Sequence, residues 1–205
     1  MIVKPLLRGH FHQAAFFIAI GACLLLTVRA ESMTALSASI IYSLSLIFLL
    51  GTSALYHRIN WNPESRKTMK RLDHSAIYIL IAGTFTPICL LALSPESGKQ
   101  LLITIWLVAF LGVVQSLFFV HAPKWLSASL YVVAGYLIMP YLSELDTRVN
   151  LGLLIGGGIV YTLGAATYAL KKPNFKPEIF GYHEVFHVLV IIAAALHFAL
   201  VYQLV

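Results

Sequence analysis

His183 and His187 stand four residues apart in the string HEVFH. That spacing puts two imidazoles on one face of a helix about one turn apart, where both can reach a single ion. The string also fits the H-E-x-x-H pattern, which in zinc proteases supplies two ligands and a glutamate base. The spacing speaks more strongly for metal than for proteolysis. Two ligands do not complete a zinc site, which takes four, with one left to water when it is catalytic. His57, closing the string SALYH, is the natural third, and Ser53 lies one turn before it on the same face. Asp73 is suited to hydrogen-bond water at the ion or to orient a histidine. Ser53 and Asp73 fit a plain interhelical hydrogen bond equally well. Three neutral histidines leave zinc its full charge, which favours ionisation of water in the open position near neutral pH. Imidazole donors suit several divalent ions, so residue type alone does not select zinc.

The remaining histidines read differently. His10, His12, His74 and His121 sit at the ends of apolar stretches, where an apolar body and a polar tip suit an interface. His197 lies ten residues beyond His187, about 15 Å along a helix, and is expected to be buried and hydrogen-bonded rather than a ligand. Cys23 and Cys89 fall inside apolar runs and read as small buried residues without a disulfide. Gly156, Gly157 and Gly158, with Gly152 and Gly164, read as close helix packing rather than a phosphate cradle.

The elements that must position these groups are membrane spans. Of the 205 residues 60% are hydrophobic and only 11% charged, against about 25% charged in soluble domains. A water-soluble body is excluded. Seven segments approach the roughly 20 apolar residues that a bilayer-crossing helix needs: about 11–29, 35–57, 72–93, 101–120, 125–142, 149–170 and 181–203. The gaps carry breakers or charge, as in Asn62-Pro63-Glu64, Ser94-Pro95-Glu96 and Lys171-Lys172-Pro173. They are too short for a soluble domain, so residues 1–205 read as one transmembrane domain. The fifth segment is short and contains Gly135 and Pro140, tolerable within a bundle. The N-terminus imitates a signal peptide, with Lys4, Arg8, an apolar stretch and Val28-Arg29-Ala30, but is read as the first span.

Eleven of the 14 lysines and arginines fall on the N-terminal side of the alternating spans, and only Arg29, Lys99 and Arg148 on the other. The positive-inside rule makes this an all-α seven-helix bundle with its N-terminus cytoplasmic and its C-terminus outside. The net charge of +6 is thereby explained by topology, and nucleic acid is not expected as a partner. Between the second and third spans, Asn62 can cap a short helix starting at Pro63. Arg66, Lys67, Lys70 and Arg71 would lie along one side of it, touching anionic lipid at the cytoplasmic face, with Trp61 at headgroup level. Ionisable residues within spans are costly and usually functional. This topology brings His57, Asp73, His74, His183, Glu184 and His187 from three helices to one membrane depth.

The stretches SALYH, RLDHSAIYILIAGTFTP and HEVFHVLVIIAAALHF together resemble the hemolysin III proteins of bacteria, which belong with the progestin and adiponectin receptors of eukaryotes. The resemblance covers essentially the whole chain. It implies a multi-pass protein of the bacterial inner membrane and a zinc ion held by His57, His183 and His187. The family's serine matches Ser53, and its aspartate, which is thought to hold the zinc-bound water, matches Asp73. Adiponectin receptors are reported to have ceramidase activity, and the wider superfamily consists mostly of hydrolases acting on lipid amides. The implied function is a metal-dependent hydrolase of a membrane lipid amide or ester, with the substrate entering laterally from the bilayer. The alternatives are a non-catalytic, metal-stabilised sensor or regulator of membrane state and a hemolysin-type pore. Glu184 stands where adiponectin receptors have glutamine, so a glutamate is not required by the shared chemistry, and proteolysis with Glu184 as base is disfavoured. The receptors' long N-terminal extension has no counterpart here, and hormone binding of that kind is not expected.

Overall fold

The computed structural model describes residues 5–119 and 122–205; Lys4 and His121 lie outside the described residues. Seven helices are long and apolar enough to cross a membrane. They are α1 (His10–Val28), α2 (Met33–Arg58), α3 (Pro63–Leu91), α4 (Pro95–Phe118), α5 (Lys124–Gly135), α6 (Leu151–Leu170) and α7 (Tyr182–Leu204). A 3₁₀ segment, Tyr136–Glu144, completes the fifth span. Pro140 has no N–H to offer the carbonyl of Tyr136, and the tighter 3₁₀ pattern accommodates that loss. Large apolar side chains such as Phe17, Leu25 and Phe110 point outward with more than 60% of their surface exposed, a distribution that only lipid solvates.

The helix starts follow from side-chain caps. Ser32, Asn62, Ser94 and Asn150 each accept a hydrogen bond from a backbone N–H three residues on, satisfying one of the orphan donors of the first turn. At Asn62 the cap forms as the sequence suggests, with Pro63 and Glu64 in the first turn. The separate short helix does not. Pro63–Leu91 is one continuous helix, because no glycine or proline interrupts it between Glu64 and Ala82 and propagation is favourable once the cap has nucleated it. Its 29 residues extend about 43 Å, longer than the roughly 30 Å apolar core of a bilayer, so its basic first turns project beyond the apolar segment.

α3 is the most buried span. It packs against α2 and α4 along its length and also reaches α5 and α7, while α1 packs on both α2 and α7. Gly83 makes the α2–α3 approach possible, since a Cβ there would meet the side chain of Ser45. In the glycine-rich α6, Gly157 faces His197 so closely that a Cβ would overlap its ring, whereas Gly158 has open space beside it. Close packing therefore accounts for part of the glycine run only. Cys23 and Cys89 are both buried free thiols.

The N-terminal residues before α1 form a strap across one end of the bundle. Leu6 and Leu7 donate backbone hydrogen bonds to the carbonyls of Glu178 and Ile179 in the α6–α7 loop. The ring of Phe11 packs edge-on against Phe180. The strap thus ties α1 to the segment that introduces α7. At the opposite end, the Arg148 guanidinium and backbone N–H bond Asp146 and hold its carboxyl below the usual carboxylate range.

Candidate metal centre

His57 occupies the last turn of α2, and His183 and His187 the first two turns of α7. One donor nitrogen from each lies within 4.8 Å of the others. The Nε2 atoms of His57 and His183 are 3.1 Å apart, near the roughly 3.3 Å that separates two ligands of a tetrahedral ion with bonds of about 2.0–2.1 Å. All three rings are buried, His187 to 1% exposure. Three buried imidazoles from two helices, gathered on one point, form a donor set that fits a transition-metal ion.

Asp73 comes from α3, with Oδ2 at 3.9 Å from His57 Nε2. Ser53 lines the same cavity as Asp73. The five residues singled out from sequence therefore meet: three histidines within ligand reach of one another, with the Asp73 carboxylate and Ser53 beside them. His197 stays apart and donates through Nε2–H to the Leu154 carbonyl, 3.1 Å away, as expected of a buried histidine.

Glu184 is fully buried, and its two oxygens are engaged by Arg8 Nε and, at 2.8 Å, by the backbone N–H of Gly181. It anchors the strap and caps the start of α7. A carboxylate engaged in this way is not offered to a reacting group, and the likeness of HEVFH to a protease motif ends at the ligands.

His12 corrects the interfacial reading given to it. Its ring is 3% exposed and stacks on His187, with centroids 3.9 Å apart and planes within 10°. Both of its ring nitrogens are buried. The sequence did carry a signal: His12, Ala19, Cys23 and Leu26, the buried residues of α1, form one stripe at helical spacing. His74, also read as interfacial, lines the cavity described next, while His10 lies near Arg58 toward the surface.

A cavity of about 310 Å³ opens beside the histidines and runs between α3, α5, α6 and α7. His57, His183 and Asp73 line one part of it, and Ile81, Phe85, Ile88 and Leu142 line another. Reactive groups at one end of an apolar chamber suit a ligand that is polar at one end and oily along the rest.

Comparison with known proteins gives a consistent family picture. Residues 1–198 match the family model described as Haemolysin-III related. The chain is 33% identical over 193 residues to Hemolysin-3 of Bacillus cereus, covering 91% of this chain and 85% of that protein. It is 34% identical over 161 residues to the Hemolysin-3 homolog of Bacillus subtilis (strain 168), covering 77% and 72%. The adiponectin receptor protein of Drosophila melanogaster is 31% identical over 172 residues, which is 74% of this chain and 39% of the receptor.

Proposed function

The chain belongs to the haemolysin III-related family, within the group that includes adiponectin receptors, and on that footing we propose that it is a zinc-dependent hydrolase of a membrane lipid amide or ester. The observation that carries this reading is the convergence of His57, His183 and His187 on one point, at the wall of a cavity that also holds Asp73. The reading places this end of the bundle at the cytoplasmic face of a bacterial plasma membrane, in line with its basic residues.

Zinc bound by the three histidines would supply Lewis acidity, polarising a carbonyl and making water acidic enough to react near neutral pH. The chain's own residues supply the rest. Asp73, close to His57, can accept a proton from attacking water and return it to the departing nitrogen or oxygen. The apolar stretch of α3 from Ile77 to Ile88 can hold the hydrocarbon tail and fix the scissile bond at the level of Asp73. His12, Arg8 and Glu184 do not touch that bond in this scheme; they brace the first turns of α7.

The test has two parts. Purified wild type should carry about one metal ion per chain, lost in both His57→Ala and His183→Ala, a stoichiometry expected of a single three-ligand site. Wild type should also release fatty acid from some member of a broad lipid panel, and His183→Ala should not. Metal retained in both variants would remove the centre; metal without any His183-dependent turnover would favour a metal-stabilised sensor of membrane state, in which chelation lowers thermal stability alone. A pore has less in its support, since the charged lining residues stay at the histidine end and the rest of the lining is mostly apolar.

A further inference from the structure

Away from the metal centre, the chamber carries a second set of polar side chains. Thr84 of α3, Tyr136 of the 3₁₀ segment, Tyr161 and Thr162 of α6 and His197 of α7 all line the cavity. Thr84 follows Asp73 by 11 residues and His197 follows His187 by ten, rises of about 16 and 15 Å along helices that cross in the same direction. The two therefore stand level, well inside the apolar layer, with Ile81, Phe85 and Leu154 on the walls around them. A polar group at that depth is costly unless it is paired, and lipid offers it no partner.

Part of the set is satisfied within the protein. The Thr162 hydroxyl donates to the Gly158 carbonyl at 2.8 Å and stands 3.3 Å from the Tyr136 hydroxyl, which donates to it. His197 gives its Nε2–H to the Leu154 carbonyl, and Gly157 makes room for the ring, since a Cβ there would come within 2.3 Å of it. That bond fixes the tautomer: Nδ1 keeps the lone pair of a neutral imidazole and can only accept. Nδ1 is buried and has no hydrogen-bond partner among the described residues. The Tyr161 ring lies 5.5 Å from that of His197, and neither Tyr161 nor Thr84 makes a side-chain hydrogen bond among the described residues. One acceptor and two hydroxyls are left over at one depth.

A ligand group that both donates and accepts answers all three, and a hydroxyl is the smallest that does. We propose that Thr84, Tyr161 and His197 form a second recognition site, which takes a hydroxyl borne on the ligand's hydrocarbon about 15 Å from the metal centre. The ligand class is then an acyl lipid hydroxylated partway along its chain, in preference to one with a plain chain. A ketone at the same place accepts from Tyr161 or Thr84 but offers no proton to His197 Nδ1. This inference rests on the reading of the cavity as a lipid site, but its test measures binding and does not require turnover.

The probes are radiolabelled octadecanoic acid and its derivatives with a hydroxyl at the twelfth carbon, a ketone at the twelfth carbon, or a hydroxyl at the second. Each is added to the full-length protein in phosphatidylcholine nanodiscs, and binding is compared at equal membrane concentration of acid. The mid-chain hydroxy acid should bind at least about tenfold more tightly than octadecanoic acid, the scale of a hydrogen bond whose loss leaves a buried group unmet. The keto acid should gain less, and the hydroxyl next to the carboxyl nothing. Tyr161→Phe and Thr84→Val, which delete hydroxyls at nearly constant volume, should each reduce the preference. His197→Phe should remove the advantage of hydroxyl over ketone; the two milder variants keep the test open if it fails to fold. Tyr202→Phe, outside the cavity, should retain the preference. His183→Ala should retain it too, so a failure of the hydrolase reading leaves this result standing. Equal binding of the mid-chain hydroxy acid and octadecanoic acid, or a preference that survives Tyr161→Phe and Thr84→Val alike, would overturn the proposal. A ketone bound as tightly as the hydroxyl would overturn the part given to His197.

Discussion

His12 lies face to face with His187, so its ring fixes the plane of a candidate ligand. Groups that orient a ligand without touching the ion commonly change metal affinity by about 10–100-fold when removed. His12→Ala should therefore weaken metal binding by about tenfold in a chelator competition, while His12→Phe, which keeps a flat ring against His187, should recover most of the loss. If a nitrogen rather than the ring matters, both variants will fall together. Glu184 gives the complementary case. Glu184→Gln should keep any turnover, because an amide oxygen can still accept from Gly181, whereas a catalytic base would be lost. Glu184→Ala leaves Arg8 without its buried partner and should lower stability by about 2–3 kcal/mol, read by thermal unfolding in detergent.

At the scale of elements, the strap before α1 is bonded to the loop that introduces α7 and lies against His57 at the end of α2. Gly9 adopts φ +81°, and a Cβ there would come within 2.7 Å of His57 Cβ. Gly9→Ala therefore meets two penalties, about 1–2 kcal/mol for the left-handed backbone and a displacement of His57. Both melting temperature and metal affinity should fall. Gly21→Ala in the same helix region has nothing within 4 Å of the new methyl and should leave both unchanged. The unbroken α3 matters for the same reason. Had the basic segment formed a separate helix lying on the membrane, Arg66 and Lys70 would share no face with Asp73. Continuity brings the cations, the carboxylate and the apolar wall into one line.

For the whole molecule, two measurements bear on the arrangement. A metal that binds only the folded bundle stabilises it by about 2.7 kcal/mol when present at 100 times its dissociation constant. Chelation should lower the melting temperature of wild type accordingly and leave His57→Ala unmoved. Sidedness is open to cysteine labelling at the exposed positions Asn174 and Ser94, since the native cysteines are buried. Asn174→Cys should react with an impermeant reagent only in inside-out vesicles, and Ser94→Cys only in intact cells. The reverse pattern would place the histidines outside, contrary to the charge distribution.

The sequence by itself determined what depends on local pattern and composition. Apolar runs of bilayer length called for seven spans, because an unpaired backbone is too costly in lipid to allow anything but helices there. The four-residue spacing of His183 and His187 put two donors on one face, and alternation of the spans carried His57 and Asp73 to the same end. Only the tertiary structure decided what depends on which faces meet. His12 left the interface class because α1 turns its buried stripe onto α7. Glu184 became an anchor because the strap brings Arg8 to it across 176 residues of chain. Arg66 and Lys70 parted from Lys67 because one continuous α3 turns the first two to the cavity and the third away. Such contacts join residues remote in sequence, and no local periodicity encodes them.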